Sequence, residues 1–168
     1  MDVKAAFVRS LRDDPQRSLI RFDTWPKRYA FEVMSRGGRT LIKPDGFIRI
    51  GEERDGERAE YDFFLEVDMG TETLDRVVEK CVHYREHYRN GGHASFCGGV
   101  REEARVYPFR VLVTCQSDER CENLAMKLTL LNPPILSMVL FSTQATCANG
   151  VLGEIWMTPS KTMIGILT

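Results

Sequence analysis

The fold is most clearly indicated by residues 63–72, which read Phe-Phe-Leu-Glu-Val-Asp-Met-Gly-Thr-Glu. Their first part continues a strand-forming run that begins at Tyr61, and a similar run, Phe-Ile-Arg-Ile, occupies residues 47–50. A charged segment, residues 52–60, separates the two runs and has Asp-Gly at its middle. This arrangement predicts an antiparallel hairpin whose two strands are joined by a charged loop.

Acidic residues lie at the ends of these predicted strands. Asp45 precedes the first strand in Lys-Pro-Asp-Gly, and Glu66 and Asp68 close the second. Because side chains alternate along a strand, Glu66 and Asp68 face the same side, and the hairpin can bring Asp45 there. Grouped carboxylates suit a hard cation, so we predict that Asp45, Glu66 and Asp68 bind Mg²⁺, with Mn²⁺ as a substitute. The alternative is a charged rim with solvated carboxylates.

A helix over residues 73–89 is predicted to follow at once. Thr71 or Thr73 can cap its start, and Asn-Gly-Gly at residues 90–92 favours its end. Lys80 and Tyr84 are four residues apart and share a face of this helix. Its apolar stripe has helical spacing and comprises Leu74, Val77, Val78, Cys81 and Val82. We expect Lys80 to reach the acidic cluster, with Tyr84 one turn further along.

Together these motifs resemble the PD-(D/E)XK nuclease superfamily and, more narrowly, the replication-relaxation family of plasmid and mobile-element proteins. The matching pattern is Pro-Asp at residues 44–45, the run 64–72, and Lys80 with Tyr84, so it covers about residues 43–88. The superfamily usually places a lysine two residues after the glutamate, where this chain has Asp68. The narrower family's pattern implies that the lysine has moved to the helix, as Lys80.

The resemblance implies a restriction-endonuclease-like core, with a mixed central sheet flanked by helices. The pattern of elements alone predicts only an α/β domain with a mixed sheet. The resemblance also implies metal-dependent hydrolysis of DNA, with Asp45, Glu66 and Asp68 at the metal, Lys80 orienting the attacking water, and Tyr84 contacting a phosphate or positioning Lys80. The alternative is a non-catalytic DNA-binding module for replication control that keeps the fold. A homodimer, or partner replication or mobilisation proteins, is compatible with either function.

Family members usually carry a winged-helix segment before this region. We expect residues 1–168 to form one PD-(D/E)XK-like domain without that segment.

The chain is 43% hydrophobic and 28% charged, which is ordinary for a soluble globular protein. Its net charge of −1 gives no overall attraction to nucleic acid, but residues 1–43 hold ten Lys and Arg against five Asp and Glu. A basic flank beside an acidic pocket suits a phosphate-backbone binder, and a mixed solvated surface is the alternative.

The sequence contains neither an apolar signal-peptide segment nor an apolar run of membrane-spanning length, so we expect a cytoplasmic protein without membrane association. The cysteines, five in number, show no C-x-x-C spacing, which favours reduced thiols. A rival metal site for zinc would use residues at H-x3-H and H-x3-C spacing: His83, His87, His93 and Cys97. A basic, aromatic rim for DNA would use Arg85, Arg89, Arg101, Arg105, Tyr88 and Tyr107.

Further elements are predicted by periodicity and turn signals. Helical patterns occur at residues 2–11, 29–34 and 118–131. Strand patterns occur at residues 18–24, 39–42, 46–51, 61–69, 109–115, 135–142 and 154–158.

Overall fold

The structure is a computed structural model, and it describes residues 3–24, 30–35 and 37–167. The helices are α1 (Val3–Arg12), α2 (Leu74–Arg89), α3 (Gly92–Phe96), a 3₁₀ helix (Arg101–Val106), α4 (Asp118–Thr129) and α5 (Gln144–Ala148). The strands are β1 (Arg17–Asp23), β2 (Phe31–Ser35), β3 (Gly38–Ile42), β4 (Gly46–Arg54), β5 (Glu57–Val67), β6 (Phe109–Cys115), β7 (Val139–Thr143), β8 (Trp156–Met157) and β9 (Met163–Ile164).

The central sheet has seven strands in the order β1-β4-β5-β6-β7-β8-β9, and β2 and β3 form a separate antiparallel pair. β5, β6 and β7 run parallel, while β1, β4, β8 and β9 join by antiparallel pairing. Parallel neighbours need a long crossover, and α2 and α4 occupy those connections. The predicted mixed sheet flanked by helices is therefore confirmed.

The two faces of the sheet bury different sets of residues. On one face, Phe64 and Val111 pack in the same hydrophobic cluster as residues of α2, α4 and the β2–β3 pair. On the other, Phe63 and Leu112 pack with residues of α1 and α5. Strands covered on both sides are expected to be continuously apolar, which explains the sequence of β6. Because alternation sets the face, Asp62 and Glu66 lie on the α2 side together with Phe64.

The predicted charged loop over residues 52–60 is wrong. β4 runs to Arg54 and β5 starts at Glu57, so the connection is a tight turn at Asp55-Gly56. Both turn residues have positive φ, 54° and 80°, which is the geometry that Asp-Gly favours in a two-residue hairpin. Charged residues continue as strand here because this end of the hairpin projects into solvent, where side chains on both faces can stay hydrated.

The predicted helical turn over residues 29–34 is also wrong where it can be judged. The structure has strand β2 there, with Phe31 and Val33 buried and Met34 67% exposed. This alternation has a period of two, so a strand can bury its apolar face against α2 and a helix could not. Tyr29 lies outside the described residues, as do Asp2, Trp25 and Pro26.

Other boundaries move by a few residues. The strand predicted for residues 135–142 starts only at Val139, and the one predicted for 154–158 is reduced to β8. The helix predicted for residues 73–89 is confirmed, and Thr73 is its N-cap. All cysteines are free thiols, as expected. Within the part of the chain that the structure describes, none of the helices has the length and apolar character needed to cross a bilayer.

Candidate carboxylate site at the end of the central strand

Glu66 is the centre of the candidate site. It lies one residue before the end of β5, is 5% exposed, and faces α2. The Tyr84 hydroxyl donates a hydrogen bond to Oε1 of Glu66, and the Lys80 ammonium donates to Oε2 at 3.3 Å. Lys80 and Tyr84 are one helical turn apart, so a single face of α2 covers the carboxylate. The structure thus brings together three of the residues that the sequence singled out.

The protonation of Glu66 is set by its surroundings. Burial raises the pKa of Glu66 from 4.5 to about 7, and the negative charge of Asp45 adds to the rise. The hydrogen bond from Tyr84 and the charge of Lys80 lower it and only partly compensate. Burial also raises the pKa of Tyr84 well above 10.0, so its hydroxyl keeps its proton and acts as the donor. Glu66 therefore exchanges a proton near neutral pH, and a cation bound beside it would displace that proton.

Asp45 is held at the same end of β5 by main-chain contacts. Its N–H donates to the carbonyl of Leu65 at 3.0 Å, and its Oδ2 accepts from the N–H of Val67 at 2.8 Å. These bonds continue the β4–β5 ladder by one residue and fix the carboxylate next to the residues that flank Glu66. The charge of Asp45 raises the pKa of both Glu66 and Tyr84, which agrees with a position close to them.

Lys80 contacts two carboxylates. Its ammonium is 3.3 Å from Oε2 of Glu66 and 2.8 Å from Oε2 of Glu72, and its side chain is 32% exposed. Burial lowers the pKa of Lys80, but the hydrogen bond to Glu72 and the charges of Glu66 and Glu72 outweigh this effect and raise it. Lys80 therefore stays positively charged at neutral pH. Glu72 is the last residue of the run 64–72 that carries the resemblance, but its contact with Lys80 was not predicted.

Asp68 has a different set of partners. Arg120, from α4, donates from Nη2 to Oδ1 at 2.9 Å and from Nε to Oδ2, and the N–H of Gly70 donates to Oδ1 at 3.0 Å. The Asp68 side chain is 3% exposed. Arg120 also donates to the carbonyl of Glu72 at 2.6 Å. The pair therefore fixes the segment between β5 and α2, and with it the residue that holds Lys80.

Arg120 was missed because no local signal marks it. It stands 52 residues after Asp68 and meets it only because α4 and α2 both pack on the same face of the sheet. Ser117 is the N-cap of α4 and accepts from the N–H of Arg120, which fixes Arg120 in the first turn of that helix.

A cleft of about 280 Å³ opens at Glu66. It lies between β3 and α2 and is lined by Thr40, Leu41, Ile42, Lys43, Glu66, Arg76, Glu79, Lys80 and His83. Three cationic side chains and two carboxylates share this space, so an anionic group could approach the buried glutamate. A larger cleft, of about 390 Å³, is lined by Asp62, Tyr88, Phe109, Arg110 and neighbouring residues at the amino end of β6. It does not include Glu66, Lys80 or Tyr84.

The histidines of the rival zinc reading occupy three different environments. His83 lines the Glu66 cleft, and His87 stacks on Phe31 with ring centroids 3.7 Å apart. His93 and Cys97 instead contact Asp62. The rival zinc site of His83, His87, His93 and Cys97 is therefore not gathered at one point.

The predicted basic rim is only partly available to a ligand. Arg85 donates to the carbonyl of Pro133, and Tyr88 packs edge-on against Phe109. Arg89 pairs with Glu86. Arg101 and Arg105 are exposed on the 3₁₀ helix, where Glu102 and Glu103 are exposed beside them. The charge of this surface is mixed, in line with the alternative reading.

Comparison with protein families matches residues 8–100 to the replication-relaxation family. The match covers more than half of the chain and includes Asp45, Glu66, Lys80 and Tyr84. No curated protein and no solved structure matches the sequence. The chain belongs to the replication-relaxation family.

Proposed function

We propose that this replication-relaxation family member is a Mg²⁺-dependent endonuclease of the PD-(D/E)XK type, which hydrolyses phosphodiester bonds in the DNA of a plasmid or mobile element. One observation carries the proposal. The Lys80 ammonium, supplied by a helix, lies 3.3 Å from the buried carboxylate of Glu66, at the strand end to which Asp45 is also fixed. A lysine and two carboxylates in this relation form the catalytic set that the resemblance implies.

The donor set fits a hard divalent cation. Asp45 and Glu66 offer only oxygen, which Mg²⁺ prefers. A carboxylate has about four lone-pair positions. The bonds from Tyr84 and Lys80 use two on Glu66, and Val67 uses one on Asp45, so both groups retain acceptor capacity. The pKa of Glu66, raised to about 7, indicates a carboxylate that a cation would stabilise in its charged form. Asp45 and Glu66 would hold the ion, which when bound polarises the scissile phosphate and acidifies water.

The chain's own residues then have separate tasks. Lys80 remains charged and can offset negative charge that develops on the phosphate oxygens. Tyr84 holds Glu66 in one orientation from the apolar side. Lys43 and Arg76 line the cleft and would attract the DNA backbone electrostatically. Asp68, predicted from the sequence to bind the metal, would act instead through Arg120 by positioning Glu72 and Lys80.

The location of the cluster supports the same function. Ligand sites in sheets with parallel strands form outside the carboxyl ends of those strands. Glu66 and Asp68 lie at the carboxyl end of β5, next to β6 in the parallel part of the sheet. The larger apolar cleft lies at the opposite end of these strands.

A second candidate is a DNA-binding module without catalysis. It is favoured by the observation that Asp68 stands at the usual lysine position and accepts three hydrogen bonds, from Arg120 and Gly70. In that case the hydrogen bonds from Lys80 and Tyr84 would serve only to stabilise the buried carboxylate of Glu66. This candidate predicts DNA binding that is independent of divalent ions.

The proposal is tested by incubating the protein with supercoiled plasmid in Mg²⁺, Mn²⁺ or EDTA and separating the products on a gel. We expect nicked and linear DNA with the divalent ions, and none with EDTA. Asp45→Asn and Glu66→Gln should abolish nicking while keeping the fold. Asp75→Asn is the matched control, because its side chain is 84% exposed and its partner, Lys127, lies outside the site.

Each result separates the two candidates. Retarded DNA without nicking would support the binding module. Nicking that survives in both site variants would show that the activity comes from elsewhere and would overturn the proposed site.

A further inference from the structure

A second cluster of potential ligand atoms lies on the same sheet face as Glu66, four residues earlier on β5. Asp62 is 8% exposed and His93 is 1% exposed, and Cys97 follows the end of α3 one helical turn after His93. Nε2 of His93 is 2.8 Å from Oδ2 of Asp62. Sγ of Cys97 is 3.5 Å from Nε2 of His93 and 3.7 Å from Oδ2 of Asp62. A nitrogen, an oxygen and a sulfur therefore face one point.

The spacing of these atoms is close to that of ligands around a single ion. With zinc bonds of about 2.0–2.3 Å, tetrahedral ligands stand roughly 3.3–3.6 Å apart. The two distances to sulfur already lie near this range. The distance of 2.8 Å between Asp62 and His93 is that of a hydrogen bond, and it needs to open by about 0.5 Å to admit the ion.

We propose that Asp62, His93 and Cys97 form a binding site for Zn²⁺, or for a transition-metal ion of similar softness. Thiolate and imidazole select such ions over Mg²⁺, whereas Asp45 and Glu66 offer oxygen alone. The two sites therefore differ in the metal that each would take. This proposal does not depend on nuclease activity, because it uses none of the residues of the Glu66 site.

Arg49 already bonds to two of the proposed ligands, so some of its hydrogen bonds must change when an ion binds. It donates from Nε to Oδ1 of Asp62 at 2.6 Å, and from Nη2 to Oδ2 at 2.7 Å and to Sγ of Cys97 at 3.4 Å. When the ion binds, the Cys97 thiol loses its proton to solvent, and the His93 ring moves its proton from Nε2, which donates to Asp62 in the metal-free chain, to Nδ1. Oδ2, Nε2 and Sγ are then free to bind the ion. Arg49 retains Oδ1, so Asp62 remains oriented by a hydrogen bond, as metal-bound carboxylates commonly are.

The consequence of binding is a link between separate parts of the fold. Asp62 belongs to the central strand β5, whereas His93 and Cys97 belong to the short segment after α2. At five residues, α3 is too short to be stable by its own hydrogen bonds. Ligands from both elements on one ion would fasten α3 to the sheet more firmly. Its present contacts there include those of His93 and Cys97 with Asp62, and the packing of Phe96 on Phe47.

The test is a titration of the metal-free full chain with Co²⁺, which reports thiolate ligands by a sulfur-to-metal charge-transfer absorption. We expect this absorption to saturate at one equivalent and to be reversed by Zn²⁺. Cys97→Ser and His93→Gln should abolish it. Glu66→Gln and His83→Gln should retain the absorption, because both residues line the Glu66 cleft, which contains none of the three proposed ligands.

A second measurement needs no variant. Cys97 is the one cysteine that is not buried, so it should react first with iodoacetamide, and its modification can be followed by mass spectrometry. We expect one equivalent of Zn²⁺ to slow the reaction at Cys97 by roughly tenfold or more, because a metal-bound thiolate is protected from alkylation. Absence of the charge-transfer band in the wild-type chain, or its persistence in Cys97→Ser, would overturn the proposal. An alkylation rate at Cys97 that Zn²⁺ does not change would also overturn it. The contacts of Asp62 with Arg49 and His93 would then have only a structural role.

Discussion

The hydroxyl of Tyr84 donates its hydrogen bond to a carboxylate oxygen of Glu66 inside the protein, where Tyr84 is 0% exposed and Glu66 is 5% exposed. The pair joins α2 to the end of β5 through a polar contact in an otherwise apolar cluster. A buried carboxylate with so few protein donors is poorly compensated, which is why its pKa is raised to about 7. The same feature favours binding of a cation at this position.

Tyr84→Phe should destabilise the protein in a pH-dependent manner. The hydroxyl bonds to a charged acceptor above the pKa of Glu66 and to a neutral one below it, and hydrogen bonds to charged groups are the stronger. We expect a loss in the free energy of unfolding of about 2 kcal/mol at pH 8, and about 1 kcal/mol at pH 5. Urea unfolding at the two pH values measures this difference, and equal losses would contradict it.

Lys80→Ala should abolish Mg²⁺-dependent nicking and leave DNA binding within a few-fold of the wild type. The reason is that Lys80 contacts Glu66 and Glu72, while the cleft retains Lys43 and Arg76 for the DNA backbone. Lys127→Ala is a matched control, since it removes an equal charge from a lysine that pairs with Asp75 away from the cleft. Gel assays of nicking and of retardation give the two readouts, and nicking by Lys80→Ala at the wild-type rate would refute the assignment.

The secondary structure was predictable wherever local periodicity decides it. The helix that starts after Thr73 follows from apolar spacing and a cap, and the strand predicted at residues 61–69 is the apolar half of β5, which ends at Val67. β2 was mistaken for a helical turn because five residues are too few to separate the two periods. The charged half of the hairpin was mistaken for a loop because charge indicates exposure and does not exclude strand pairing.

Of the site, the sequence predicted that Lys80 reaches Glu66, because the two residues lie on consecutive elements. Tyr84 was expected to contact a phosphate or to position Lys80, whereas it is buried and donates to Glu66. The pairing of Asp68 with Arg120 depends on α4, which is placed by the parallel β5–β6–β7 order rather than by any local pattern. The meeting of Asp62 with His93 and Cys97 has the same origin. Contacts across 31 and 52 residues need the sheet topology, which propensity does not encode.

The Asp68–Arg120 pair should show strong coupling in a double-mutant cycle. Arg120→Gln leaves Asp68 charged and buried, so we expect a loss of about 3 kcal/mol in the free energy of unfolding. Asp68→Asn leaves an arginine that can reach solvent and should lose about 1–2 kcal/mol. The double variant should lose clearly less than the two together. Additive losses in urea unfolding would show that the two side chains do not act as a pair.

The same variants distinguish two roles for Asp68. If Asp68 positions Glu72 and Lys80 through Arg120, then Asp68→Asn and Arg120→Gln should raise the Mg²⁺ concentration needed for nicking in parallel. If Asp68 binds the ion directly, Arg120→Gln should lower that concentration, because it frees the carboxylate, and Asp68→Asn should raise it. Nicking measured across a range of Mg²⁺ concentrations gives the answer.

Glu66 and His87 should have opposite effects on stability over nearly the same pH range. Glu66 keeps its proton in the folded chain up to about pH 7, whereas the unfolded chain loses it near 4.5, so its contribution falls as pH rises through this window. Burial and the charge of His93 lower the pKa of His87 from 6.5 to about 4, so its contribution rises with pH between those values. Each effect amounts to roughly 3 kcal/mol. The two should largely cancel in the wild-type protein.

Single variants should therefore reveal slopes that the wild type hides. In EDTA, we expect the free energy of unfolding of Glu66→Gln to increase with pH from 4.5 to 6.5, because the contribution of His87 is no longer opposed. For His87→Gln, the free energy of unfolding should decrease with pH over the same range. It should also be lower at every pH, because the variant removes the stacking of the His87 ring on Phe31. The hydrogen bonds of Asp62 to Arg49 and His93 lower its pKa despite burial, so its contribution to the free energy of unfolding is complete above its ordinary pKa of 3.8 and is lost only below it. This contribution is therefore constant across the window. Urea unfolding at several pH values measures the slopes, and parallel curves for the two variants would show that these groups do not titrate as proposed.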